Sequence, residues 1–383
     1  MYKKVFFPNL DGLRFIAFAL VFLQHAFYSS FKQFENGNIV QKSLLSSFFL
    51  GGGTGVQIFF VLSGFLITYL ILQEIESLGA LNVKNFYIRR TLRIWPLYYA
   101  VVIFSFLIYP YLKSLIGINS DLCSRPFYYF TFLANFDVIH IAKTCPGKDA
   151  MTQGIIWSVA IEEQFYLVWP LFFKFLPKKF YSFLFLTVIT GSVIFRLYYN
   201  GQPEAYFHTF AVMGDLAIGG LLAHLATYNI KFKEWIINLK QKSILISYLF
   251  ILTFFIFNGV IFDFKYGAIV SRIFFDCVFA FVIVTQCFSA NLPVSLGRSE
   301  AISNLGKVSY GLYMLHPVAM LVLDIAYRKL HLNNSVCVYG FLQGVLTLVL
   351  TIIIAKLSYK FLEKPFLKLK SKFSFINTER QTA

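Results

Sequence analysis

Charge is scarce in this sequence: only 14% of its 383 residues are Asp, Glu, Lys or Arg, against about 25% in an ordinary globular chain. That scarcity excludes an intrinsically disordered chain, which needs charge to outweigh its apolar content. Cysteine is limited to five, an odd number and too few for a disulfide-built secreted module. No His/Cys cluster has the spacing of a zinc site, and no Gly-x-Ser-x-Gly nucleophile elbow occurs. The run Gly51-Gly52-Gly53-Thr54-Gly55 lacks the Lys-Ser/Thr ending of a phosphate loop. No metal, no covalent serine chemistry and no nucleoside triphosphate are therefore expected. Internal repeats and a soluble domain are absent as well.

Apolar residues fill the space that charge leaves, at 58% of the chain, with aromatics alone at 19%. Ten membrane spans need roughly 200 apolar residues, and this composition can supply them. Apolar runs of helical length recur at 12–31, 55–76, 95–114, 155–173, 180–199, 206–226, 243–262, 268–288, 303–327 and 336–358. The expected fold is all-α: a polytopic integral membrane protein of about ten transmembrane helices. The run Phe127–Phe136 is too short to span and reads as re-entrant or interfacial. The first run carries Arg14 and His25 and no Ala-x-Ala site at its end, so it reads as an uncleaved first helix.

The formal net charge is +16. In a soluble chain that would point to nucleic acid. With ten spans and both termini cytoplasmic, 23 of the 34 Lys and Arg fall on the inner side, as the positive-inside rule requires. An eleventh crossing at 127–136 would invert every later loop. The charge is then orientation charge, and no nucleic-acid partner is expected. Residues 1–365 read as one transmembrane domain in the cytoplasmic (inner) membrane. Residues 366–383 read as a basic tail resting on anionic lipid headgroups. In the long outer connection, about 115–154, Cys123 and Cys145 can form a disulfide, whereas Cys277 and Cys287 read as packing residues.

Ionisable groups within spans cost several kcal/mol and need a partner or a task. Arg14 and His25 lie eleven residues apart, which returns them to one helix face about 16 Å apart along the axis. A cation at the mouth and an imidazole at depth suit an anionic ligand whose reactive end reaches inward. A snorkelling arginine and a packing histidine would give the same pattern. Arg89, Arg90 and Arg93 open the third run, with Arg90 and Arg93 on one face; they suit phosphate or simply anchor the helix. Glu162 and Glu163 are adjacent, so they point about 100° apart and at most one faces a shared site. One of them could orient the imidazole of His25. His316 precedes Pro317, which removes a backbone hydrogen bond; sharing the same cavity and packing are the two readings of this histidine. His208 and Asp215 share a face of the sixth run, and Asp276 and Asp324 read as buried acids paired with nearby basic groups. The glycine run and Ser63-Gly64 suit close helix packing.

Five stretches carry a resemblance: LDGLRFIAFALVFLQH (10–25), GVQIFFVLSGFLIT (55–68), FYIRRTLRIWPLYY (86–99), WSVAIEEQFYLVWP (157–170) and SYGLYMLHP (309–317). In that order they resemble the acyltransferase-3 family of integral-membrane O-acyltransferases, over about residues 10–365. The resemblance implies ten membrane helices and transfer of an acyl group, usually acetyl, from cytoplasmic acyl-CoA to a hydroxyl of an extracytoplasmic or lipid-linked carbohydrate. It implies that Arg14 and His25 are functional and that Arg90 and Arg93 belong to the donor side. Some members carry a further periplasmic hydrolase-like domain, which is not expected here. On this reading Arg14, Arg89, Arg90 and Arg93 hold acyl-CoA, and His25, Glu162, Glu163 and His316 are the candidate catalytic groups. The partners are acyl-CoA, a carbohydrate or glycolipid acceptor, and membrane lipids. His25 would act as general base or as a transient acyl acceptor. A transporter or flippase of a lipid-linked sugar, or a non-catalytic subunit of an envelope assembly, would share the helices and buried charges but tolerate loss of His25.

Overall fold

Long runs of Leu, Ile, Phe and Val can satisfy their backbone groups in lipid only as helices or closed barrels, and the period here is helical. The computed structural model describes residues 3–31, 47, 51–114, 123–145, 154–329 and 336–377. The long helices are α1 (Pro8–Phe31), α2 (Gly52–Leu78) and α3 (Val83–Ile103). After them come α4 (Ala134–Thr144), α5 (Ile156–Phe175), α6 (Tyr181–Tyr198) and α7 (Thr209–Tyr228). The chain continues through α8 (Ile230–Ile237), α9 (Gln241–Ile256) and α10 (Gly267–Phe288). Last are α11 (Glu300–Lys307), α12 (Ser309–Lys329), α13 (Val336–Ser358) and α14 (Lys364–Lys370). A parallel two-residue bridge, β1 (Lys3–Lys4) with β2 (Ile376–Asn377), joins the two ends of the described chain.

Among the described residues eight helices are long and apolar enough to cross a membrane, or nine if α8 and α9, bent by 91°, form one span. The run expected at 155–173 is a helix, α5, yet it falls outside that set. Its Glu162-Glu163-Gln164 triplet, with two tryptophans and a proline, lowers its hydropathy below that of the others. The stretch 127–136 does not span: a short helix, Pro126–Phe130, breaks at Phe132, whose φ of 57° is left-handed, before α4 begins. The Gln164 amide donates to the freed Phe132 carbonyl at 2.7 Å and to Asn135 at 2.9 Å, tying this segment to α5. Cys123 and Cys145 are disulfide-bonded, with Cα atoms 6.6 Å apart, whereas Cys277 and Cys287 are free. The remainder of the 115–154 connection, and residues 378–383 of the basic tail, lie outside the described residues.

Helix α2 is the central element, packed between α1 and α7. At Gly64 an added Cβ would overlap the Leu216 carbonyl oxygen, and at Gly219 it would overlap that of Val61. The backbones of α2 and α7 therefore touch through two small residues, the closest approach helices make in lipid. Behind α7, Asp215 is buried between two arginines: Arg272 donates to its Oδ2 at 2.7 Å, and Arg196 binds its Oδ1. The expectation that Asp276 pairs with a basic side chain is corrected here. Its Oδ1 accepts from the Gln57 amide at 2.7 Å, because both neighbouring guanidinium groups are already engaged by Asp215. His208 caps α7, its Nδ1 accepting from the Phe210 amide at 3.1 Å.

Candidate active site

A cavity of about 710 Å³ lies between α1, α2, α3, α5 and α12 and is bordered at one end by residues 359–375. That end also carries Val5–Phe7, and is called the terminal end below. The cavity brings together Arg14, Arg89, Arg90, Arg93 and Glu162. Eight basic and four acidic side chains line it, so its field favours an anion.

The cations are held in different ways. Arg14 donates to Asp11 one turn earlier on α1, at 2.5 Å. Arg89 is braced at both ends of its fork: Nη2 donates to Glu74 at 2.8 Å and Nη1 to the Phe373 carbonyl at 2.8 Å. Glu74 also accepts from the Asn82 amide at 3.0 Å, which fixes the turn from α2 into α3. Arg90 lies over two aromatic faces, 5.6 Å from the Phe86 centroid and 5.7 Å from that of Tyr166. Its Nε is buried and has no hydrogen-bond partner among the described residues. Arg90 and Arg93 make no ion pair among the described residues. They are the guanidinium groups left for a ligand.

The two adjacent carboxylates part as helix geometry requires. Glu162 faces the cavity, where Ser63 Oγ donates to one oxygen and Tyr166 OH to the other, each at 2.9 Å. Glu163 turns to α3, accepting from Trp95 Nε1 at 2.8 Å, and does not line the cavity. Neither carboxylate bonds to His25.

The partner of His25 is His316. His25 Nδ1 and His316 Nε2 are 2.9 Å apart, and His316 Nδ1 is 2.6 Å from the Tyr313 carbonyl oxygen. The expectation that Glu162 or Glu163 orients His25 is thereby corrected. So is the idea that His316 shares the arginine cavity, since neither histidine lines it. The physical reason lies in Pro317. In an α-helix the carbonyl of Tyr313 would accept from the amide of residue 317, but proline has none. The orphaned carbonyl accepts from His316 Nδ1 instead.

This settles the proton order for a neutral pair. A carbonyl only accepts, so His316 carries its hydrogen on Nδ1 and presents a lone pair at Nε2. That lone pair accepts from His25 Nδ1–H, which leaves a lone pair on His25 Nε2. His316 is 0% exposed and is flanked edge-on by Phe18 and Phe22, whereas His25 is exposed. Tyr313 joins the two regions. Its side chain lines the cavity and bonds Ser158 Oγ at 2.8 Å, and its carbonyl holds His316.

Sequence reasoning passed over Asp11, Tyr166 and Tyr313, and read Ser63 only as a packing position. Asp11 precedes Arg14 by three residues and Tyr166 follows Glu162 by four, so helical spacing could have found both. Among the described residues, no group of three or more His, Cys, Asp or Glu is placed to hold a metal ion.

A helical bundle with a cationic cavity that reaches Tyr313, next to an imidazole pair, defines a class of integral-membrane proteins with an interior suited to an anion. The chain belongs to the acyltransferase family whose model, described as an acyltransferase domain of type 3, matches residues 7–358. It is similar to the peptidoglycan O-acetyltransferase OatA of Listeria monocytogenes, with 28% identity over 401 residues covering 96% of this chain and 57% of that protein. It is likewise similar to the putative peptidoglycan O-acetyltransferase YrhL of Bacillus subtilis, with 30% identity covering 95% of this chain and 56% of that one. A putative O-acetyltransferase of Staphylococcus aureus is 29% identical, covering 96% and 58% respectively. The chain thus spans somewhat more than half the length of these curated relatives. No solved structure matches it.

Proposed function

We propose that this protein transfers an acyl group, acetyl by analogy with the names of its relatives, from acyl-CoA to a hydroxyl of a cell-surface carbohydrate. The observation that carries this reading is a cavity lined by Arg90 and Arg93, which make no ion pair among the described residues, that runs up to Tyr313, the residue whose carbonyl orients the histidine pair. Acyl-CoA enters at the terminal end, where its phosphates meet Arg90 and Arg93, and the thioester points toward the dyad. His25 Nε2 takes the proton of the acceptor hydroxyl as general base. The oxygen then attacks the thioester carbonyl, the C–S bond breaks, and the proton passes from His25 to the departing thiolate. His316 Nε2 accepts from His25 Nδ1–H throughout and stabilises the imidazolium that forms. Glu162 sits with Ser63 and Tyr166 on the cavity wall and shapes the donor's path.

Topologically we place ten spans in a cytoplasmic membrane: the eight clear ones, the bent pair α8–α9, and α5, with both termini inside. The lysine-rich terminal end supports this orientation, and the Cys123–Cys145 disulfide fits an oxidising outer face. Transfer from labelled acetyl-CoA in proteoliposomes tests the proposal. Loss of transfer in His25→Ala, with donor binding retained, is the expected result. Full activity in that variant would overturn the mechanism, and a transporter would show substrate movement without any transfer.

A further inference from the structure

The last described residues do not leave the bundle. After α13 the helix continues through a π-turn, Tyr359–Glu363, into α14, which packs on α3. Arg89 then holds the Phe373 carbonyl, and β2 pairs with β1 at the other end of the chain. Residues 5–7 and 364–375 therefore form a collar around the cavity's terminal mouth.

The collar adds a second tier of positive charge. Lys364 and Lys368 lie four residues apart on one face of α14, line the cavity, and are exposed. Neither makes an ion pair among the described residues. Further in, Arg90 and Arg93 are only partly exposed. The mouth is thus graded, with hydrated lysines outside and desolvated guanidinium groups inside.

That gradient matches the order of phosphates on the donor. In acyl-CoA the diphosphate joins the thioester-bearing arm to the ribose, and the 3′-phosphate hangs beyond it. With the thioester toward the dyad, the diphosphate lies deeper and the 3′-phosphate lies at the rim. A guanidinium fork suits a desolvated diphosphate, and a flexible, hydrated ammonium suits a monoester at the solvent edge. We propose that Lys364 and Lys368 bind the ribose 3′-phosphate of acyl-CoA, so that the collar selects it over a donor lacking that group. This inference rests on the acyl-CoA reading above. A lipid headgroup phosphate would offer the same chemistry to the two lysines, and the test separates the two sources.

The experiment compares acetyl-CoA with acetyl-3′-dephospho-CoA, using the full chain in phosphatidylcholine liposomes and in liposomes containing phosphatidylglycerol. The double variant K364A/K368A should raise KM for acetyl-CoA about tenfold at unchanged kcat, the size expected for two exposed charge contacts. Its KM for the dephospho donor should stay at the wild-type value, which also shows that the protein is folded. K364R/K368R should restore the discrimination. An equal rise for both donors would overturn the inference, as would an effect confined to phosphatidylglycerol liposomes, which would assign the lysines to lipid. Failure of the wild type to use either donor would instead remove the acyl-CoA reading itself.

Discussion

Replacing His316 by Phe separates a catalytic histidine pair from a packing contact. The ring is 0% exposed and sits against Phe18 and Phe22, so an apolar ring of similar shape fits. Two hydrogen bonds disappear: the one His25 Nδ1 makes to His316 Nε2, and the one His316 makes to the Tyr313 carbonyl. On the proposed mechanism the first stabilises an imidazolium in the transition state. A hydrogen bond to a charged group contributes about 1.5–3 kcal/mol, so kcat should fall about 10- to 150-fold. KM for acetyl-CoA should not move, because the cations proposed to hold the donor line the cavity and His316 does not. The second loss leaves a buried carbonyl unsatisfied and should cost about 1–3 kcal/mol of stability. Pro317→Ala supplies the missing amide to that carbonyl, so H316F/P317A should recover thermal stability in detergent while kcat stays low. The assay is initial rate of acetyl transfer in proteoliposomes, normalised to folded protein. If the double variant regains activity together with stability, His316 is only a structural residue and the proton order derived for the pair is wrong.

Four further outcomes follow from the packing. Glu162→Gln should lower transfer by about tenfold or more through the loss of a charged acceptor for Ser63 and Tyr166. Glu163→Gln, which keeps an oxygen for Trp95 Nε1, should stay within about threefold of the wild type in the same assay. Gly64→Ala should abolish the folded species on size-exclusion chromatography, since its methyl group would meet the Leu216 backbone rather than a movable side chain. Breaking the Cys123–Cys145 bridge by C145S should cost about 3 kcal/mol of stability for its loop of 22 residues, measured by thermal melting with and without reductant.

Much of the bundle was legible from composition alone, because lipid leaves helices few alternatives. The uncertain spans are those where polarity and geometry disagree. Helix α5 carries Glu162-Glu163-Gln164, which lowers its hydropathy, and α8–α9 is apolar enough but turns through 91° between two shorter helices. The glycine positions were readable too. Ser63-Gly64 announced a close contact, although only the structure shows that Gly219 on α7 answers it. The cavity's cations, Arg14, Arg90 and Arg93, were found from sequence because an arginine in or beside a span needs a reason to be there. The packing of α14 on α3 at the mouth was not found, since a lysine-rich tail looks the same whether it rests on headgroups or on the protein.

The dyad shows where reading along the chain stops. Helical periodicity put Arg14 and His25 on one stripe, and Pro317 marked a missing backbone bond. The carbonyl that Pro317 frees is four residues back, at Tyr313, and the nearest donor able to turn toward it is the imidazole just before the proline. That much is local. The approach of His25 to His316 crosses 291 residues of sequence, and no local period can encode it. The same holds for the adjacent carboxylates. Helix geometry reduced two candidates to one, but choosing Glu162 required Ser63 from α2 on the same wall and Trp95 from α3 drawing Glu163 the other way. Local rules thus limited each helix to a few functional faces, and contacts between helices decided which face met which.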